Sequence, residues 1–251
     1  MRSNKIIPSN LHKKYSEVFD RYKTLKILFK KKITVFDIGA NEGQTILQIS
    51  KNFPKSTIHC FEPQESCKKK LNYLKNKLKS LNIYLNFFAV GDKNCKKLFF
   101  VNERSDLSSF NRINYKSKLF IKMKTLRKNK KNLKKYNSPI IVDQVRLDKY
   151  IKKNKVKKID ILKIDTQAYD DLVLKGISKK YFKNINTIII EINLWDLYDR
   201  QQSFLQFENI LKSHFVLWDI SSVFKNPKYK NTDHLDAIYI NKAFSKKILK
   251  Y

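Results

Sequence analysis

The chain has 251 residues, 54 of them Lys or Arg against 22 Asp or Glu, for a net charge of +32. Hydrophobic residues make up 42%, which excludes a disordered chain and leaves enough for one full-sized core. The positive excess admits a nucleic acid, an anionic membrane surface or an acidic glycan as partner. Plentiful Lys, Asn, Ile, Phe and Tyr beside only four Gly are also the mark of an AT-rich genome, which explains the charge more simply.

The opening segment, MRSNKIIPSNLHKKY, has no continuous apolar run, so no signal peptide is expected. Residues 11–29 place Leu11, Tyr15, Val18, Tyr22, Leu25 and Phe29 on one helical face, with Lys13, Lys14, Lys23 and Lys26 elsewhere. Such a basic amphipathic helix can lie on an anionic membrane, but more often packs on its own domain. Residues 1–32 are therefore set apart from a main domain over 33–241.

Ile33 to Phe36 reads as the first strand and Ile46, Ile49 and Phe53 as a short helix that Pro54 ends. STIHCF is strand two, closing on Glu62-Pro63, and Cys67, Leu71, Leu74 and Leu78 mark a second helix. NIYLNFFAV is read as one strand that closes on Gly91-Asp92. Alternating strands and helices predict a parallel α/β sheet. The uncharged stretch 80–91 is too short to span a membrane, which takes about 20 residues.

Regularity fades over 93–139, apart from a short strand at KLFFV. Within it, 116–135 carries ten basic residues and no acidic one, as an insertion or cap would. A strand and a short helix resume over 139–151. IDILKID (159–165) and TIIIEIN (187–193) are buried strands, and a helix runs from Gln201 to Ser213. FVLWDI and DAIYI follow, then a basic tail over 242–251. Cys60, Cys67 and Cys95 are odd in number and show no CxxC spacing, so a reducing cytoplasm is expected rather than a disulfide framework or structural zinc. His12, His59, His214 and His234 show no metal spacing; His234, just before DAIYI, either approaches the site or, as is commoner, is a surface-loop histidine.

FDIGANEGQT (36–45) reads as strand, glycine turn and helix start, the place where open α/β sheets hold a cofactor. A dinucleotide turn needs Gly at the positions that Asn41 and Gln44 occupy, and a P-loop needs a Lys that Gly43-Gln44-Thr45 lacks. S-adenosylmethionine carries a sulfonium, an amino group and a ribose diol instead of a phosphate. Asp37 before the turn suits a cation, and Glu62, closing the next strand, is placed to accept hydrogen bonds from both ribose hydroxyls.

The chain resembles the FkbM family of S-adenosylmethionine-dependent methyltransferases. The resemblance runs through VFDIGANEGQ (35–44), FEP (61–63), AVGD (89–92), SDLSSF (105–110), VRLDKYI (145–151), IDILKIDTQAYDDLVLKG (159–176), IIIEIN (188–193) and DAIYI (236–240). Two departures stand out: Ala168 where the family usually has Gly, and Asp170 where it often has Glu. The resemblance implies a class I methyltransferase fold, a seven-stranded and mostly parallel sheet with one reversed strand near the end and helices on both faces. It implies that Asp37, Gly39, Asn41 and Gly43 line the methionine and ribose part of the cofactor. Glu62 would hold the ribose hydroxyls, and Ala89 and Asp92 would lie near the adenine.

Asp165 and Glu191 end neighbouring strands and face the same edge. They either accept a hydroxyl proton or, with Asn193, hold a divalent cation such as Mg²⁺. Gln167, Ser108 and Ser109 are candidate substrate contacts. The resemblance implies O-methylation, here of a sugar in surface-glycan or related natural-product biosynthesis. The rivals are an RNA or DNA methyltransferase and a non-catalytic binding module. The segment Asp165-Thr166-Gln167-Ala168 lacks the Asn/Asp-Pro-Pro-aromatic motif of base N-methylating enzymes, and no cysteine follows a proline as in DNA cytosine C5 enzymes. No Asp-x-Asp supports a glycosyltransferase.

Overall fold

A computed structural model describes residues 21–30, 32–117, 120–121, 136–225 and 231–249. Seven strands form the main sheet: β1 (Thr34–Ile38), β2 (Thr57–Phe61), β3 (Asn82–Asn86), β7 (Ile159–Ile164), β8 (Ile185–Asn193), β9 (Phe215–Lys225) and β10 (Thr232–Asn241). Their order is β3-β2-β1-β7-β8-β10-β9, and β10 alone runs antiparallel to its neighbours. This is the class I methyltransferase arrangement the resemblance implied.

The central strands are apolar on both faces because both faces are covered. Phe36, Leu162 and Ile188 point to one core, shared with α4 (Leu147–Lys153), α5 (Asp170–Lys175), α6 (Lys179–Phe182) and α7 (Phe204–Leu211). Their neighbours Val35, Ile161 and Ile189 point to the other core, shared with α1 (Arg21–Thr24), α2 (Gln44–Asn52) and α3 (Glu65–Lys77). A capping box between Ser203 and Gln206 starts α7 three residues after the expected Gln201.

Tyr22, Leu25 and Phe29 of the N-terminal stripe are buried in this second core, and Phe29 stacks on Phe244 at 5.5 Å. The part of the stripe over 11–20 lies outside the described residues. So do all but Lys116, Ser117, Phe120 and Ile121 of the basic stretch 116–135. The C-terminal segment is not merely a tail, since α8 (Lys242–Leu249) packs Phe244 and Ile248 on the second core.

Two expectations need correction. NIYLNFFAV is not one strand: β3 stops at Asn86, whose side chain donates to Cys60 O at 3.0 Å, and Phe87 and Phe88 turn into opposite cores. The chain then enters β4 (Ala89–Gly91), which belongs to a second sheet of order β4-β6-β5. The stretch 93–139 is also more regular than expected. It contains β5 (Cys95–Val101), which pairs antiparallel along β6 (Ser138–Arg146). The strand includes the short one expected at KLFFV and begins two residues earlier, at Cys95; its long pairing with β6 is what the sequence did not announce.

No described helix is long and apolar enough to cross a membrane.

Candidate active site

A cavity of about 710 Å³ opens at the carboxyl ends of β1, β2, β7 and β8, beside the first residues of the reversed β10. Its floor begins with a buried row of charges. The parallel register sets Asp37 of β1 opposite Lys163 of β7. Lys163 Nζ lies 3.3 Å from Asp37 Oδ1 and 3.2 Å from Asp165 Oδ2. Burial opposes the lysine's charge, but the two aspartates hold its pKa above the ordinary range. Asp37 is completely buried and forms no part of the cavity wall, contrary to the expectation that it lines the cofactor. Burial pushes its carboxyl up, against the pull of Lys163.

Asp165 continues the network. Burial again opposes its charge, yet Lys163 and the Gln167 amide together hold its carboxyl below the usual range. Gln167 Nε2 donates to Asp165 Oδ1 at 2.8 Å and to Glu191 Oε1 at 3.0 Å. Gln167 Oε1 lies 2.9 Å from the hydroxyl of the buried Tyr198. Burial, then the charges of Asp165 and Asp236, push Glu191 well above the usual carboxylate range. The two carboxyls are thus driven in opposite directions, Asp165 toward the charged form and Glu191 toward the protonated one.

The loop that carries Gln167 is itself unusual. Gln167 and Ala168 both take positive φ, +56° and +66°. Ala168 stands in a conformation that favours glycine, which accounts physically for the Gly usual at this place. Its carbonyl accepts from Asn111 Nδ2 at 2.5 Å.

Gly39 (φ +83°) sits so close to the Asp165 carbonyl that a Cβ would lie 2.0 Å from it. Asn41 (φ +44°) turns its N–H onto Glu62 Oε2 at 2.8 Å. Gln64 N and Nε2 reach Glu62 Oε1 at 2.9 and 3.1 Å. Burial raises the pKa of Glu62, and these three donors work against that. Gly43 (φ +89°) precedes α2 and packs under Leu74 and Leu71, so its role is local packing and it is not in the cavity wall.

Farther along, Phe61, Ala89, Val90, Phe99 and Phe110 give the cavity an apolar end. Ala89 is there as expected. Asp92 is not: its carboxylate faces Gln144 Nε2 at 3.4 Å and its carbonyl accepts from Arg146, outside the cavity. The strand break at Asn86 moves it away.

The two serines also differ from expectation. Ser108 Oγ accepts from Asn102 N at 3.0 Å, and Ser109 Oγ donates to Gln167 O at 2.6 Å. Ser108 is on the cavity wall but Ser109 is fully buried, so these hydroxyls brace the loops.

The wall contains residues to which sequence reading assigned no role. A 3₁₀ turn, Ser105–Leu107, is tied to the cofactor turn by Ser105 Oγ to Asn41 Oδ1 at 2.7 Å and by Gln64 Nε2 to Ser105 O at 3.1 Å. His234 is no loop histidine: it lies in β10, stacks on Phe224 at 4.2 Å and lines the cavity. Burial lowers its pKa, so the imidazole is neutral. Lys163 was legible in principle, because alternation along IDILKID puts it on one face with Asp165. Arg21 gave no such signal.

Among the described residues no group of three or more His, Cys, Asp or Glu could hold a metal. The Asp165–Glu191–Asn193 alternative does not fit. Amide N–H groups of Gln167 and Asn193 (the latter at 3.4 Å) already occupy Glu191 Oε1, and an ammonium faces Asp165. An S-adenosyl cofactor fits the donors better: a hydrogen-bonded carboxylate at Glu62, an acidic floor for a cation, and an apolar end for a base. That acidic lining is unsuited to a pyrophosphate.

The fold resembles those of known methyltransferases at low identity. A Burkholderia thailandensis 1,6-didemethyltoxoflavin-N1-methyltransferase is 9% identical with a TM-score of 0.48, over 96% of this chain and 93% of that one. A Streptococcus mutans protein in complex with SAH is 12% identical with a TM-score of 0.47, over 94% and 99%. A Streptococcus thermophilus rRNA methylase is 11% identical with a TM-score of 0.42, over 95% and 99%. No curated protein matches by sequence. The family model "Methyltransferase FkbM domain" matches residues 37–215. The chain belongs to the FkbM family and is an S-adenosylmethionine-dependent methyltransferase.

Proposed function

We propose that the enzyme methylates a hydroxyl oxygen of a small acceptor, a sugar in surface-glycan or related natural-product biosynthesis. The observation that carries this reading is the carboxyl pair on the cavity floor, Asp165 and Glu191 bridged by the Gln167 amide at 2.8 and 3.0 Å, with Asp165 held below the usual carboxylate range and Glu191 pushed above it. The cofactor supplies a methyl group already activated on a sulfonium. Asp165 accepts a hydrogen bond from the acceptor hydroxyl and takes its proton as the oxygen is alkylated. A weakly basic carboxylate suffices, since an alkylated hydroxyl is strongly acidic. Lys163 keeps Asp165 anionic, Gln167 fixes its orientation, and Glu62 holds the ribose diol. The stacked His234 and Phe224 rings offer a flat wall for the acceptor ring.

An exposed free Cys95 supports a reducing, cytoplasmic setting. The nucleic-acid alternative rests on the +32 charge alone.

The first experiment is thermal unfolding with S-adenosylhomocysteine, with NAD and ATP as controls. Saturation at a hundred times Kd adds about 2.7 kcal/mol. A labelled-methyl transfer panel of sugars, nucleotide sugars and RNA follows. Label on a sugar oxygen sustains the proposal. Label on RNA, with binding that falls steeply with salt, replaces it. Cofactor binding with no transfer to any acceptor favours the binding module.

A further inference from the structure

Arg21 comes from α1, well before the glycine turn, yet it lines the same cavity as Asp165 and Glu191. Its Nη1 is ion-paired with Asp236 Oδ1 at 2.8 Å. Asp236 is buried on β10, directly opposite Glu191 in the ladder. Both Arg21 and Asp236 lie outside the matched family domain, 37–215. The Nε of Arg21 is buried without a hydrogen-bond partner, so one edge of its donor fork is unspent. A buried N–H in that state waits for an acceptor.

The other described cations on the wall are committed. Lys163 sits between Asp37 and Asp165, and Arg104 forks onto Asp106. His234 is neutral. The wall also carries Glu62, Asp106, Asp165, Glu191 and Asp233. An acidic lining of this kind welcomes the ammonium of an amino acid and repels its carboxylate. A ligand carrying both groups can be held only where a cation is free to face the carboxylate.

We propose that Arg21 is the carboxylate-binding residue of the cavity and takes the amino-acid carboxylate of the cofactor through its Nε edge. Asp236 holds the guanidinium in place from behind. The N-terminal segment before residue 33 thereby becomes part of the active site. This rests only on the cofactor, not on the identity of the acceptor.

Titration calorimetry with S-adenosylmethionine and decarboxylated S-adenosylmethionine tests it, since the two differ only in the carboxylate. Wild type prefers the carboxylated ligand by about tenfold or more, as for one charged hydrogen-bonded contact. Arg21→Gln erases that preference and leaves the decarboxylated ligand within about twofold. Arg21→Lys recovers part of it. Arg21→Gln/Asp236→Asn, which removes the stranded buried carboxylate, guards against unfolding and behaves as the single variant does. An unchanged preference in Arg21→Gln overturns the proposal and hands Arg21 to an acceptor anion. Equal losses for both ligands also overturn it, as a packing effect. If wild type binds neither ligand, the cofactor assignment itself fails.

Discussion

Lys163 and Asp37 face each other across neighbouring parallel strands, 3.3 Å apart and both buried, and the same ammonium reaches Asp165 on the next turn of alternation. One cation therefore balances two carboxylates, one structural and one at the site. Lys163→Met strands both. The expected loss of stability is about 3–5 kcal/mol in urea unfolding. Adding Asp37→Asn restores a large part of it. If the single variant is as stable as wild type, the row does not hold the sheet together as described.

Asp165→Asn tests the proton acceptor. The rate of methyl transfer to the acceptor found in the panel is expected to fall about 10²–10⁴-fold. Affinity for S-adenosylhomocysteine, read by calorimetry, stays within about threefold because Glu62 and Arg21 are untouched. Glu62→Ala should do the reverse and abolish the thermal shift. A rate that survives Asp165→Asn moves the proton elsewhere, with neutral His234 next in line.

Ala168→Gly should stabilise the protein. The Ala φ of +66° carries a left-handed penalty of about 1–2 kcal/mol, of which glycine's greater freedom when unfolded returns part. The net gain expected in chemical denaturation is about 0.5–1 kcal/mol. A loss of stability would mean that the Cβ packs in the small cluster with Leu107 and Tyr198 more tightly than the backbone strain costs.

Asp170 gives a pH signature. It is buried and accepts from Thr166 N and Oγ1, and burial raises its pKa to about 7. The fold therefore prefers the protonated form. The penalty is absent below the unfolded value, about 4, grows as pH rises, and is complete above 7. Stability should fall across that window. Asp170→Asn keeps the acceptor oxygen and should flatten the slope. Equal slopes in both proteins would assign the pH dependence to another group.

Much of this was legible from residues alone. The turn glycines, Glu62 and the two strand-end carboxyls announced themselves by spacing, and the buried strands by their unbroken apolar runs. What stayed hidden depended on distant pairing. Asp92 was misplaced because nothing local says that the chain leaves the sheet at Asn86. Ser108 and Ser109 read as substrate contacts because their partners, Asn102 and the 166–167 carbonyls, become neighbours only after folding. Arg21 and His234 come from opposite ends of the chain, and only the reversed β10 brings them to one wall.

The missing Cβ of Gly39 has a consequence for traffic. The glycine turn and the Asp165 backbone touch so closely, with Asp165 N bonded to Ile38 O at 3.0 Å, that this seam cannot part without breaking the sheet. Entry and exit must then use another wall. On the facing wall the 3₁₀ turn at Ser105 meets the cofactor side through two side-chain hydrogen bonds, Ser105 Oγ to Asn41 Oδ1 and Gln64 Nε2 to Ser105 O, whereas the floor is joined backbone to backbone.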